Sequence, residues 1–439
     1  MESLKITRIL RVILTIVLAA TVLIQPSEAY SVFTHEELID LTWKDSIRPL
    51  LLARFPGTTD AQLREAHAYA YGGCTMQDMG YYPFENAFFS KLTHYVRPGD
   101  FVNNLFREAH NVNEYAFAIG ALSHYLGDVI GHSVGTNPST GVAFPKLAEK
   151  YGQYVTYEED PHAHVRTEFG FDVGQLSKRT FAPTAYLNFI GFHTPRALLE
   201  RAFKRTYGFD IHGLFGRTRP ALHSYRFAVR KFLPTFAGAE VILHKKQFGA
   251  DNGSDGYKIF IKQLQEADYE RNWAYTYKKP GIGPHLLAVV IKIVPKVGPA
   301  AMLAIKIPNE KTESWYIDSV NRTAMVYREL LDKLRKDPEM LIDLPNRDLD
   351  TGQKVKPGAY RLTDRTYAKL VQRLTKDETL VIPKRLQEDI LNYYADPNAP
   401  IADKNNARKW KKLMGELEKI RQMKTEDDWK AAKTAKSDP

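Results

Sequence analysis

Three side chains spaced four apart, His124, Asp128 and His132, stand at the end of an apolar stretch running from about Asn113 to Ser133. Imidazole nitrogen and carboxylate oxygen are ligands that zinc accepts, and a His/Asp pair at i, i+4 of a helix can grip one ion. Each step of four on a helix turns roughly 40° past a full revolution and climbs about 6 Å. The three side chains therefore share one face, with the outer two about 12 Å apart along the axis. That separation is too large for a single ion and suits two neighbouring sites. A polar helix face with two ordinary histidines would show the same spacing, so the motif needs support from elsewhere in the chain.

Support comes from the same third of the sequence. Of 13 histidines, eight lie between His35 and His164. Asp78 falls where a helix gives way to a turn, and His94 follows sixteen residues later. His164 and Glu168 form another i, i+4 pair, placed on the first turns of a helix opened by Asp160-Pro161. The single cysteine, Cys74, excludes a disulfide or a thiolate zinc finger within this sequence, so a metal site here is built from His, Asp and Glu. Cys74 itself is expected to be a small buried residue. His67, His110, His162, His193, His212, His223, His244 and His285 have no matched partner in the sequence and are expected to be structural.

The elements that must position these groups are helical throughout. Apolar spacing predicts a helix from His35 to Arg54, stopped by Pro56-Gly57, and a second from a Thr59-Asp60 cap to Tyr71, ended by Gly72-Gly73. Met79 to Pro83 reads as a turn. A short helix through His94 is expected to stop at Arg97-Pro98-Gly99, with Asp100 capping the next. A Gly/Pro/Ser/Thr-rich loop over 135–144 separates the long helix from one over 161–173. Residues 182–279 continue as helices, with basic residues interleaved with aromatics (Arg196, Arg201, Lys204, Arg205, Arg226, Arg230 and Lys231). Residues 281–308 are apolar, dotted with lysine and cut by proline into pieces too short to cross a bilayer. Helix resumes from Asn309, interrupted by a polar loop at 346–358, and a charged amphipathic tail begins at Ala402.

The start of the chain has the form of a secretory leader. Lys5, Arg8 and Arg11 precede the apolar run Val12 to Ile24, and Ser27-Glu28-Ala29 offers small residues for cleavage. Cleavage after Ala29 makes Tyr30 the first residue of the mature chain, and a free amino terminus is itself a metal ligand. The formal net charge of +10 falls to about +9 without the leader, which favours anionic partners such as phospholipid headgroups or nucleic acid without choosing between them.

From Tyr30 to about Asp172 the ordered set His35, Asp78, His94, His124-x-x-x-Asp128-x-x-x-His132 and His164-x-x-x-Glu168 resembles the zinc-dependent phospholipase C family, which is related to the S1/P1-type nucleases. The resemblance implies an all-α fold, a helical bundle of the phospholipase C/P1 nuclease type, here with an additional helical C-terminal region. It implies three zinc ions. Carried onto this sequence, Asp78, His94, His124 and Asp128 hold the first. Asp128 bridges to the second, which is held by the amino group and carbonyl of Tyr30 and by His35. His132, His164 and Glu168 hold the third. Two features depart from the secreted enzymes of the family, which usually begin with Trp and space Asp128 and His132 more widely. The shorter spacing looks more like the broader family that includes the glycosylphosphatidylinositol-specific phospholipase D.

The expected organisation is a leader (1–29), a catalytic domain (30–280), the apolar proline-broken segment (281–308) and a helical C-terminal region (309–439). The expected function is that of an exported zinc-dependent phosphodiester hydrolase, peripheral at a membrane surface, that cleaves phospholipids with a metal-activated water. Clustered cations lower the pKa of that water and neutralise the phosphate, while Asp78 or Asp128 accepts a proton. Glu168 as the last ligand agrees with the phospholipases, where the nucleases typically have Asp. Two alternatives stay open at this stage. One is a nuclease on single-stranded nucleic acid, served by the basic and aromatic residues around 196–231. The other is a zinc-stabilised binding protein with no turnover.

Overall fold

The protein is described from a computed structural model, over residues 31–81, 86–178, 193–214, 233–244, 253–267, 282–294, 304–337, 340–377 and 379–426, with 180, 247, 296 and 301 as isolated positions. The expected leader, Tyr30, Arg226, Arg230 and Lys231 lie outside the described residues.

The chain enters through α1 (Val32–Thr42), which passes through a π-helical turn (Trp43–Ile47) into α2 (Arg48–Arg54). Pro49 sits in the first turn of α2. It has no N–H to return to the carbonyl four residues back, so the hydrogen-bond ladder slips there, and the wider turn absorbs the slip. After a turn with Gly57 at positive φ, α3 (Asp60–Cys74) starts on a capping box between Thr59 and Gln62. A 3-10 turn (Met76–Tyr81) leads towards α4 (Ala87–Tyr95) and α5 (Pro98–Glu108). Then comes α6 (Val112–Gly131), capped by Asn111 and prolonged by a second π-helical turn (His132–Thr136). The following helices are α7 (Asn137–Ala143), α8 (Pro145–Tyr151), α9 (Pro161–Lys178), α10 (Arg196–Tyr207) and α11 (Leu233–His244). They continue with α12 (Asp255–Glu266), α13 (Ile282–Ile293), α14 (Glu310–Lys336), α15 (Arg361–Leu374), α16 (Lys384–Tyr393) and α17 (Ala407–Gln422). Two-residue strands, Ile382–Pro383 and Thr425–Glu426, form the one β ladder among the described residues, so the fold is all-α.

Helix α6 is buried without a break from Glu114 to Asp128. A helix apolar all round has no face to give to water and must run through the interior. Around it pack α1, α3, α5 and α14. The tightest of these contacts uses glycine on both sides. A Cβ on Gly73 of α3 would stand 2.0 Å from the Phe117 carbonyl oxygen, and one on Gly120 of α6 would stand 2.1 Å from that of Ala70. Gly72 and Gly73 thus lie inside α3, not beyond its end as the sequence suggested. Gly73 lets α6 approach, Gly72 lets the backbone of His193 approach, and the helix continues to Cys74.

Other expected boundaries also move. Pro98 and Gly99 open α5, where a missing N–H costs nothing, and do not simply end α4. Asp100 is in the first turn of α5, not its cap, and takes the Arg97 guanidinium at 2.8 Å. The loop expected over 135–144 is mostly α7, with Pro138 in its first turn.

The C-terminal helix α14 starts on a reciprocal cap between Asn309 and Thr312 and lies along α6, where the Tyr327 hydroxyl donates to the Ile119 carbonyl at 2.8 Å. At the other end, α9 secures the entry of α1. Ser31 supplies no side-chain cap to that helix, and Asp172 of α9 does so instead, accepting from the Phe33 N–H at 3.0 Å and the Thr34 hydroxyl at 2.6 Å.

Two measurements test this packing. Gly120→Ala forces a methyl group into the Ala70 backbone and is expected to cost about 2–3 kcal/mol of stability, read as a lower urea midpoint. Burial lifts the Asp172 carboxyl to about 6, against the pull of its donors Ser31, Thr34 and Phe33. Its unfolded value is near 3.9. Between those two values the folded chain keeps a proton that the unfolded chain has shed, so this group's contribution to stability falls as pH rises from about 4 to 6. Asp172→Asn should flatten that part of the stability curve, and an unchanged slope in urea unfolding across the window would contradict it.

Candidate metal centre

Eight of the nine side chains singled out from the sequence are described, and all eight are buried. Asp78 is carried by the 3-10 turn, which is strapped to α4: the Gly80 N–H donates to the Ser90 hydroxyl at 2.8 Å and the Thr93 hydroxyl to the Gln77 carbonyl at 3.3 Å. His94 lies in the last turn of α4, His35 in the first turn of α1, and His124 and Asp128 one turn apart on α6. His132 opens the π-helical turn, and His164 and Glu168 share a face of α9.

These side chains meet in three groups: Asp78 with His94 and His124; His35 with His124 and Asp128; and His132 with His164 and Glu168. Within each, one potential ligand atom per residue lies within 4.8 Å of the others. Asp128 faces two ways. Its Oδ2 stands 3.1 Å from His124 Nε2 and 3.4 Å from His94 Nε2, and its Oδ1 stands 3.3 Å from His35 Nε2. Asp78 Oδ1 is 3.3 Å from His94 Nε2 and 4.0 Å from His124 Nε2. In the third group Glu168 Oε1 is 3.2 Å from His132 Nε2 and 2.9 Å from His164 Nε2.

The far ring nitrogens show why these contacts suit a cation. His94 Nδ1 lies 2.7 Å from the Ser90 carbonyl, His124 Nδ1 2.8 Å from that of Cys74, and His132 Nδ1 2.8 Å from that of Leu349. A carbonyl only accepts, so each Nδ1 carries the proton. In the neutral ring Nε2 is then a bare lone pair. Those lone pairs point at carboxylate oxygens, and His94 Nε2 and His124 Nε2 face each other at 3.5 Å. Both oxygens of Asp78 and both of Asp128 are buried with no well-directed hydrogen bond. Such a gathering of acceptors in a dry interior is costly until a proton or a metal ion stands between them. The donor set, imidazole and carboxylate with second nitrogens fixed by backbone carbonyls, fits zinc.

The electrostatics of the groups differ. Burial acts to lower His94, but hydrogen bonds and charge from Asp128 and Asp78 outweigh it and hold the ring well above the usual histidine value. Burial acts to raise Asp128, yet the charge of His124 and hydrogen bonds from His124, His35 and His94 hold it well below the carboxylate range. Glu168 goes the other way. Burial drives it well above the carboxylate range, offset only in part by His132, and burial takes His164 down to about 4.

The remaining sequence expectations divide. Cys74 is buried, and its carbonyl orients His124. His162 is exposed while His164 points inward. Among the described histidines with no matched partner in the sequence, His67 faces Asp40 at 3.4 Å, His212 faces Glu200 at 3.0 Å and His244 faces Glu240 at 3.1 Å. Only the last pair has a ligand-like i, i+4 spacing that the sequence could have flagged. Leu349 and Asp350, from the polar loop of the C-terminal region, also reach the centre, and no local spacing announces them.

Residues 34–209 match the family described as zinc dependent phospholipase C. No curated protein and no solved structure matches the chain. The matched segment runs from α1 to just past α10 and contains all eight described side chains of the three groups. Over residues 34–209, the chain is similar to the zinc dependent phospholipase C family.

Proposed function

We propose that this protein is an exported hydrolase of phospholipid phosphodiesters, releasing the phosphorylated headgroup from the diacylglycerol. The observation that carries the reading is the convergence of three buried His/carboxylate groups within the segment that matches the family. In this reading Asp78, His94, His124 and Asp128 hold one zinc ion. Asp128, His35 and the amino end of Tyr30 hold a second, and His132, His164 and Glu168 a third. When bound, zinc supplies Lewis acidity, lowering the pKa of a water and neutralising the phosphodiester. The protein's own part is to present the anionic Asp128 between two groups and to keep the imidazoles aimed inward through their carbonyl partners. Asp78 or Asp128 takes the proton given up by the attacking water.

A lipid surface as the place of action is supported by α13. Ile282, Leu286, Val289 and Ile293 are 81%, 62%, 60% and 59% exposed, steps of four, three and four that set them on one side of the helix. Leu287, Ala288, Val290 and Ile291 are buried on the other side, against α11, which in turn packs on α9. From Ile282 to Ile307 the sequence has Lys292, Lys296 and Lys306 and no carboxylate. An apolar stripe whose own segment carries only positive charge suits insertion among anionic headgroups. Among the described residues no helix is long and apolar enough to cross a membrane, and the stripe would lie in the surface. The nuclease alternative loses part of its basis. Arg196 pairs with Glu200, Arg201 with Glu114, Lys204 with Asp210 and Arg205 with Glu108, so these cations already face carboxylates.

Metal analysis of the mature protein, with turnover assays on phosphatidylcholine and on single-stranded DNA, tests the central reading. Zinc and phosphatidylcholine hydrolysis are expected together. Asp128→Asn should abolish turnover and lower the zinc content, whereas His110→Ala, at an exposed position, should do neither. Full activity in the Asp128 variant would refute the assignment. Leu286→Asp combined with Val289→Asp is expected to weaken binding to phosphatidylglycerol-containing vesicles by at least about tenfold while hydrolysis of a soluble short-chain phosphatidylcholine is kept. Undiminished vesicle binding would remove α13 from the lipid contact.

A further inference from the structure

The polar loop between α14 and α15 lies beyond the residues that match the family, yet it reaches the third group and touches the first. It is a tight turn braced by its own backbone: Asp348 N–H donates to the Gln353 carbonyl at 2.8 Å, Gly352 N–H to the Asp348 carbonyl at 2.8 Å and Val355 N–H to the Asn346 carbonyl at 3.1 Å. Gly352 sits at its tip with φ +68, and a Cβ there would stand 2.5 Å from the Val129 carbonyl oxygen of α6. The turn is therefore pressed against the helix that carries His124 and Asp128.

Leu349 connects two groups at once. Its N–H donates to the His94 carbonyl at 3.2 Å, and its carbonyl accepts from His132 Nδ1 at 2.8 Å. Asp350 comes next, fully buried. Its backbone carbonyl accepts from the Asn137 amide at 2.7 Å, and its Oδ2 accepts from the Tyr95 hydroxyl at 3.0 Å and from the Tyr360 hydroxyl. Its Oδ1 has no hydrogen-bond donor and stands 3.8 Å from His132 Nδ1. Two tyrosines thus hold the carboxylate with one oxygen directed at the outer nitrogen of an imidazole whose inner nitrogen faces Glu168.

We infer that the Leu349-Asp350 turn completes the third metal site, with Asp350 as a positioning residue for His132; this rests on the zinc reading proposed above. A negative charge beside Nδ1–H stabilises the proton on that nitrogen, which keeps Nε2 as the lone pair and makes it a stronger donor to a cation. Outer-shell partners of a ligating histidine tune metal affinity by about tenfold to a hundredfold; here the Leu349 carbonyl takes the His132 N–H, and Asp350, 3.8 Å away, acts on it through charge. The chemical consequence is that residues outside the family match set how firmly one ion is held.

The test is zinc competition with a graded chelator on the full mature chain, backed by cobalt(II) substitution and its visible absorption. Asp350→Asn removes the charge and keeps the shape. It is expected to release one metal equivalent at about ten- to a hundredfold lower chelator concentration, leave the others at the wild-type affinity, and shift one component of the cobalt spectrum. Tyr360→Phe keeps the charge and frees one side of the carboxylate, so the same equivalent should weaken by about two- to tenfold. It decides the matter if Asp350→Asn does not fold. Wild-type affinity for every equivalent in the folded variants, or a uniform weakening of all of them, would overturn the inference. A wild-type protein that takes up no zinc would overturn the hydrolase reading and this one with it, whereas zinc uptake with an indifferent Asp350 would overturn this one alone.

Discussion

Lone pairs that face one another in a dry interior repel, and here the fold holds several of them in place. His94 and His124 spend their Nδ1 protons on backbone carbonyls, so in the neutral rings the Nε2 atoms meet each other and the carboxylates of Asp78 and Asp128 with nothing to donate, and a second proton or a cation must stand between them. Burying such groups costs several kcal/mol unless a cation joins them. The rest of the structure can be understood as the scaffold that makes this arrangement hold. The central helix must be fully enclosed to keep water out, and the backbone carbonyls that fix the rings must arrive at the right depth.

The glycine contact between α3 and α6 supplies that depth on one side. The carbonyl of Cys74 reaches His124 only because α3 continues past Gly72-Gly73 and because its backbone lies almost on that of α6. A side chain at either crossing would push the helices apart by more than the tolerance of a hydrogen bond. Helix packing and ring orientation are therefore one constraint, expressed once as glycine and once as the imidazole tautomer. The π-helical turn begins only at His132, whose N–H still bonds the Asp128 carbonyl, so His132 keeps the helical phase of His124 and Asp128 while the chain beyond it is re-aimed.

What was legible in the sequence follows from this. Polar side chains on one helix show themselves by spacing, so His124, Asp128 and His132, and likewise His164 and Glu168, could be picked out as members of neighbouring groups. The isolated groups His35, Asp78 and His94 became interpretable only through the ordered resemblance, because nothing local distinguishes them from other buried polar residues. Gly72-Gly73 was misread because a glycine pair ends helices and also lets helices touch, and only the partner helix decides between these uses. Leu349 and Asp350 were invisible for a different reason. Leu349 acts through its backbone, and both are more than 200 residues away from the imidazole they face.

A neighbouring cluster on α1 and α3 offers a comparison with the three His/carboxylate groups. His67 stands 3.4 Å from Asp40 and lies flat against the Trp43 ring, with centroids 3.7 Å apart. By distance alone this resembles the contacts of His94 with Asp78. The difference lies in where the protons are. Asp40 also accepts from the Tyr71 hydroxyl, a donor with its own proton, so one of its oxygens is supplied from within the protein while its Oδ2 has no hydrogen bond. Asp78 and Asp128 have imidazole nitrogens near them whose protons sit on the opposite side of the ring for His94 and His124. Proximity of histidine to carboxylate is common in buried interiors; exhaustion of the available protons is not. That shortage, at both oxygens of Asp78 and of Asp128 against one of Asp40, more than the count of histidines, marks a group suited to an ion.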